Sequence, residues 1–388
     1  KTTEVGKAFG TIELYDQEGL VHITTFRKDT YETDSRNPEI DKASDLVTDL
    51  SRRDFTINSI AYSLETNELI DPFSGLKDLA SGTISTPDDP IISFSDDPLR
   101  MLRVCRFAST HGFSPDNETY IAMKENIERI KIITKERIRD EINKLLVGKS
   151  PSMGIRTLVE SGLSLYIIPE INELKIEVDP KHHHKDVYEH TLAVLDGVPP
   201  KLTLRMGALL HDIAKPNTKG IENGKVHFRH HEVVGARMTK KILKGLKYDN
   251  KTIEDIALLV EQHLRPHTFK MGWTDSAVRR YIVDAGHMLE DLNELVRADV
   301  TTKNKIKAKE IYENLDEMEK RIEEVKAKEE LSKIRPALSG DEIMEHFNIQ
   351  PGPKVGVIMK ALYEQRINDG EVSKEDALKL AEETYKNL

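Results

Sequence analysis

The sequence has one cysteine, Cys105, and one tryptophan, Trp273, among 388 residues. A lone cysteine excludes an intrachain disulfide framework and predicts a reducing, cytoplasmic setting. No apolar run approaches the roughly 18 residues that span a bilayer, so no membrane partner is expected. Positive charge is in deficit: 57 Lys and Arg stand against 67 Asp and Glu, a net charge of -10, which argues against an indiscriminate nucleic-acid binder. Two further absences are chemical. No Asp-x-Asp pair occurs anywhere, and no Gly-Gly or Gly-Ser pair. Internal repeats and low-complexity tracts are also missing.

Hydrophobic residues make up 38% and charged residues 32%, with a mean hydropathy of -0.49. That balance predicts a helix-rich, soluble chain, and the length predicts two to four domains. GTIELY and LVHITTF alternate apolar and polar residues around DQEG, which reads as a hairpin. A protein seldom begins in mid-sheet, so sequence preceding Lys1 is expected. Residues 28–50 are polar and turn-rich and read as a loop leading into a helix. ELIDPFSGLKDLASGTIS reads as strand and turn, and from about Asp96 onward helical periodicity dominates. ITKERIRDEINKLLVG is amphipathic, with Thr134 as an expected N-cap.

DDPLRMLRVCRFAS, Asp96 to Ser109, places Asp97, Arg100, Arg103 and Arg106 at every third position. Read as one helix, the four sweep down one side, leaving Met101, Cys105 and Ala108 to pack on the other. An isolated ion pair of this spacing is worth a few tenths of a kcal/mol at most. A carboxylate beside a guanidinium also has a chemical use, because the first only accepts hydrogen bonds and the second only donates. Cytosine and adenine each present an amino donor next to a ring-nitrogen acceptor, whereas uracil and guanine present a carbonyl beside an N–H. Asp97 and Arg100 together would accept CTP and ATP and reject UTP and GTP, since buried polar groups left unpaired are costly. From Asp97 to Lys149 eleven Lys or Arg face eight Asp or Glu, a locally basic stretch in an acidic chain.

RRDFTINSIAYSL, DPFSGLKDL and DDPLRMLRVCRFAS occur in that order, followed by ERIRDEINKLL and the late PGPKVG. This series resembles the bacterial class II tRNA nucleotidyltransferases and poly(A) polymerases, and among them the CCA-adding enzymes, along essentially the whole chain. The resemblance implies an α/β partial nucleotidyltransferase head over 1–90, then an all-α neck over 91–178. It implies an HD domain over 179–300 and a helical tRNA-binding tail over 301–388, the whole predominantly α. It implies that Asp97 and Arg100 select the base and that Arg103 and Arg106 line the same nucleotide pocket. Arg52, Arg53, Asp54 and Asn58 would contact the ribose and triphosphate, where paired guanidinium donors suit phosphate oxygens and an Asn can recognise a 2′-hydroxyl. A helix-start charge cluster is the plainer alternative for Arg52 and Arg53, and a structural ion pair for Arg106. Thr30 to Pro38 matches the family's flexible loop, which CC-adding relatives lack, although Asn37 stands where relatives often carry an arginine. Gly352 and Pro353 would open a helix whose free N–H groups face a phosphate, or simply an ordinary helix.

The implied reaction is template-independent addition of CCA to the 3′ end of tRNA from CTP and ATP. The alternatives are a poly(A) polymerase, an A-adding enzyme, or an HD-type metal-dependent phosphohydrolase. Such transfer uses Mg²⁺ held by carboxylates of an Asp-x-Asp motif. With that motif absent, the chain as it stands is expected to bind nucleotide poorly and to transfer nothing, while the full-length protein does both.

Ten of the fourteen histidines fall between His182 and His267. His190, the His211–Asp212 doublet, His231, His263 and Asp299 match the HD superfamily of metal-dependent phosphohydrolases. Imidazole and carboxylate suit a divalent ion such as Ni²⁺, Mg²⁺ or Mn²⁺. One held by His190, His211, Asp212 and Asp299 would activate water, His231 and His263 would hold a second ion or bind phosphate, and Lys215 would offset phosphate charge. Singly, each histidine is an ordinary core or surface residue; as an ordered set they predict a metal site. His182 to His184 read as a solvated loop.

Overall fold

The computed structural model describes residues 2–3, 11–16, 19–30, 39–42, 45–176, 186–223, 225–328 and 335–388. Tyr31 to Pro38, which carries most of the expected flexible loop, and His182 to His184 lie outside these residues. The chain divides into two compact units, residues 1–254 and 255–388. Among the described residues no helix is long and apolar enough to cross a membrane.

The first unit begins with β1 (Thr2–Thr3), β2 (Thr11–Asp16) and β3 (Gly19–Thr24), an antiparallel sheet in that order. The expected hairpin is the β2–β3 pair, running from Thr11 opposite Thr24 to Asp16 opposite Gly19. β4 (Arg27–Thr30) pairs with β5 (Glu39–Lys42), and after helix α1 (Leu46–Ser51), β6 (Ala61–Ser63) pairs with β7 (Glu68–Ile70). Asp45 caps α1 by accepting from the Thr48 N–H at 2.8 Å. The DPFSGLKDL stretch, expected as turn, forms helix α2 (Gly75–Ser81), whose first N–H groups are satisfied by Asp71. β8 (Thr83–Ile84) pairs in parallel with β9 (Ser114–Pro115) across the intervening helices.

Those helices are α3 (Pro90–Asp96) and α4 (Leu99–His111), and they correct the single helix expected over Asp96 to Ser109. Asp97 is extended (φ -130°, ψ 96°) because it precedes Pro98, whose ring disfavours helical geometry in the residue before it. The buried face of α4 is as expected: Met101, Cys105 and Ala108 are buried with Leu102 and Val104. After α5 (Asn117–Glu125), α6 (Lys135–Leu146) and α7 (Pro151–Glu160) pack on α4. Thr134 takes the N-cap position of α6 with extended geometry but no side-chain cap bond. The α4–α7 crossing is close because Gly154 carries no side chain. A Cβ there would lie 2.8 Å from the Cys105 carbonyl oxygen and 2.8 Å from Leu145 and Ser109 side-chain carbons.

Short helices α8 (Ser164–Ile167) and α9 (Glu170–Glu173) close this part, and α10 (Val187–Gly197), α11 (Leu202–Leu210) and α12 (Lys215–Thr218) follow. A hairpin not anticipated in the histidine-rich region, β10 (Lys219–Glu222) with β11 (Lys225–Phe228), precedes α13 (His231–Gly245). Its sequence signal is the Asn223-Gly224 pair, with Asn223 in the left-handed region at φ 52°. α14 (Asn250–Gln262) contains the division between the units.

In the second unit α15 (Asp275–Ala285) precedes α16 (Leu289–Asp299) and packs against α17 (Lys305–Lys328), the charged helix expected from sequence. α18 (Gly340–Phe347), α19 (Pro353–Asp369) and α20 (Lys374–Lys386) enclose a small core of Leu338, Ile343, Ile358, Leu362, Ala377 and Ala381. A capping box of Ser339 and Glu342 starts α18, and Gly352 with Pro353 starts α19. Arg279 ties α15 to the end of α19 by donating to the Asn368 carbonyl at 3.0 Å.

Gly154→Ala is expected to destabilise the first unit by about 1–3 kcal/mol, the usual cost of overpacking a tight helix crossing. Urea unfolding measures it; an unchanged midpoint would show that the α4–α7 approach is loose.

Candidate nucleotide site and metal centre

Three buried carboxylates hold arginines in the first unit. Asp49, on α1, is 4% exposed and holds Arg52 at 2.6 Å and Arg53 at 3.3 Å. Arg53 also donates to the Asn58 carbonyl at 3.0 Å. Asp54 accepts from Asn58 Nδ2 at 3.0 Å and pairs with Arg103 at 2.7 Å, so RRDFTIN and DDPLRMLR meet in space. Glu141, on α6, lies 3.3 Å from Arg106 and accepts from Lys144 at 3.1 Å. The Arg106 guanidinium stands 4.8 Å from the centre of the Phe107 ring. Burial pulls the Arg106 pKa down, Glu141 and Asp54 oppose that shift, and neighbouring Arg103 reinforces it.

Arg100 is buried, and its two terminal nitrogens are both engaged: Nη1 donates to Ser93 Oγ at 2.7 Å and Nη2 to the Arg52 carbonyl at 2.5 Å. Arg52 is the C-cap of α1, where carbonyls lack helical partners and the helix dipole is negative, so a cation is favoured there. Asp97 Oδ1 accepts from the Leu99 N–H at 3.2 Å, and Oδ2 faces Arg137 of α6 at 3.5 Å. The two side chains expected to read the base thus flank one short segment and look to different partners. All eight candidate nucleotide residues lie in the first unit. Sequence reasoning missed Asp49, Ser93, Arg137 and Glu141. Of these, only Arg137 and Glu141 had a signal, in the ERIRDEI stretch.

The second cluster surrounds Asp212, just past α11. Asp212 is buried, and His211 Nε2 lies 3.2 Å, His231 Nε2 3.3 Å and His190 Nε2 3.4 Å from its oxygens. Lys215 reaches the same carboxylate at 2.6 Å. His211 Nδ1 faces the Ala208 carbonyl at 2.8 Å, and His231 Nδ1 faces the Phe228 carbonyl at 2.8 Å. A carbonyl only accepts, so each Nδ1 carries the proton and each Nε2 turns a lone pair toward Asp212. Burial opposes ionisation of Asp212, and the Lys215 ammonium favours it. Nitrogen lone pairs gathered on an ionised carboxylate form a donor set that fits a divalent cation. Four of the six expected ligands, His190, His211, Asp212 and His231, meet here. His263 and Asp299 belong to the second unit. There His263 is buried with Nδ1 2.7 Å from the Val260 carbonyl, and Asp299 lies 3.5 Å from His267.

Three family models match successive parts of the chain. Residues 1–85 match the model described as the Poly A polymerase head domain, and residues 112–175 a probable RNA and SrmB-binding site of polymerase A. Residues 182–345 match the HD domain. The chain is 32% identical over 335 residues to the A-adding tRNA nucleotidyltransferase of Deinococcus radiodurans, covering 83% of this chain and 75% of that protein. It is 28% identical over 373 residues to the CCA-adding enzyme of Geobacillus sp. (strain WCH70), covering 96% and 80%. The solved structure of the Bacillus stearothermophilus CCA-adding enzyme in complex with CTP shares its fold, with TM-score 0.67 and 22% identity over 100% of this chain and 85% of that one.

Proposed function

The chain belongs to the tRNA nucleotidyltransferase family, and from that premise we propose that it serves CCA addition to the 3′ end of tRNA, using CTP twice and then ATP. The observation that carries this reading is the junction of two motifs 48 residues apart, where the Arg100 guanidinium donates to the Arg52 carbonyl. That bond sets residues suited to a base beside residues suited to a triphosphate.

In the proposed site the Asp97 carboxylate accepts from the amino group of cytosine or adenine, and Arg100 donates to the adjacent ring nitrogen. Arg52, Arg53, Arg103 and Arg106 face phosphate oxygens, and Asn58 faces the ribose hydroxyl. Asp54 orients both Arg103 and Asn58 through the contacts described above. The reaction is in-line attack of the tRNA 3′-hydroxyl on the α-phosphate of the bound nucleotide. Mg²⁺ assists such transfers. These 388 residues contain no Asp-x-Asp pair to hold it, so no metal-assisted step is assigned to this chain's residues.

The histidine cluster supports a second, separate element of the proposal: a divalent ion such as Ni²⁺, Mg²⁺ or Mn²⁺ held by His190, His211, Asp212 and His231. Such an ion supplies an activated water for phosphoester hydrolysis. Lys215, already on Asp212, is placed to balance substrate charge.

Incubating the protein that carries this chain with tRNA lacking its 3′ CCA and single labelled nucleotides tests the reaction. Two residues from CTP followed by one from ATP are expected; incorporation from ATP alone on tRNA ending in CC would make it an A-adding enzyme instead. For the metal centre, calorimetric titration of metal-stripped protein with Ni²⁺ or Mn²⁺ is expected to show one site. Its affinity should fall roughly tenfold or more in Asp212→Ala. Equal binding by the variant would remove the assignment.

A further inference from the structure

One serine touches both members of the base-reading pair. Ser93, in the last turn of α3, is 5% exposed. Its carbonyl accepts from the Asp97 N–H at 3.2 Å, and its hydroxyl accepts from Arg100 Nη1 at 2.7 Å. The other end of the guanidinium is held by the Arg52 carbonyl. A planar group fastened at both terminal nitrogens can neither rotate in its plane nor slide along a base edge.

We propose that Ser93 is a positioning residue for base selection, holding the Arg100 donors in place beside Asp97 so that uracil cannot be accommodated. This rests on the base-reading role given above to Asp97 and Arg100. Cytosine satisfies the pair in one register: its amino group donates to Asp97 while its ring nitrogen accepts from Arg100. Uracil offers an N–H where cytosine has that acceptor, with carbonyls on both sides. It could satisfy the same two side chains only if the edge moved by one position, with N3–H on Asp97 and a carbonyl on Arg100. A mobile guanidinium would follow that shift. One anchored at Ser93 and Arg52 does not, so uracil leaves a buried donor and a buried acceptor unpaired. Selectivity therefore depends on what lies behind Arg100 as well as on Arg100 itself.

The test is the ratio of CTP to UTP dissociation constants, measured by equilibrium dialysis for the protein that carries this chain, native and with Ser93→Ala or Ser93→Thr. The preference for CTP over UTP is expected to shrink about tenfold in Ser93→Ala, the scale of one hydrogen bond to a charged group. Ser93→Thr keeps the hydroxyl and should keep the preference. A merely structural serine would change the melting temperature or weaken both nucleotides alike, leaving the ratio where it was, and that result overturns the proposal. If Ser93→Ala does not fold, Ser93→Cys, of similar size and a weaker acceptor, gives the same reading. A native protein with no preference between CTP and UTP removes the base-reading role itself. A native preference that persists in Ser93→Ala leaves that role standing and removes only the part given to Ser93.

Discussion

The burial of one guanidinium constrains the whole nucleotide site. Arg100 cannot lose its charge, so a buried position is tolerable only if its donors are met. Two of them are met by groups from two different segments, the Ser93 hydroxyl at the end of α3 and the Arg52 carbonyl at the end of α1. The arrangement fastens the close of one helix and the close of another to α4. Any shift of the RRDFTIN segment relative to the neck would cost that contact. The residues proposed for base recognition and those proposed for triphosphate binding are therefore joined through Arg100.

Around that anchor, negative charge is kept inside and positive charge is pushed outward. Asp49 and Asp54 are buried, whereas the Arg53 and Arg103 side chains they hold are about a third or more exposed. Asp49 and Asp54 thus hold an arginine each without covering it, and the proposed triphosphate site draws its donors from such side chains. The cluster around Asp212 has the opposite character, with imidazole lone pairs turned inward on a single ionised carboxylate. The first is proposed for an anion and the second for a cation.

Much of this was legible in the order of motifs. RRDFTIN, DPFSGLKDL and DDPLRMLR pointed to the family, and the 3.6-residue pattern of Met101, Cys105 and Ala108 identified the packed face of α4. The break at Asp97 was legible too, because Pro98 marks it, but the helical spacing of the arginines drew attention away. Ser93 and Asp49 could not be found that way. A serine and an aspartate near helix ends are common, and what distinguishes these two is a partner brought close by folding. The histidine set was readable as residue types in sequence order. The fixing of its tautomers was not, since it depends on the carbonyls of Ala208 and Phe228, and the latter is placed by a hairpin that only Asn223-Gly224 announces.

The most direct measurement is a structure of the protein with CTP bound. The cytosine amino group should lie within hydrogen-bond reach of the Asp97 carboxylate, with its ring nitrogen accepting from Arg100 while Arg100 keeps its contacts to Ser93 and to the Arg52 carbonyl. A cytosine paired elsewhere, or an Arg100 that has left those two anchors to meet it, would contradict the central claim.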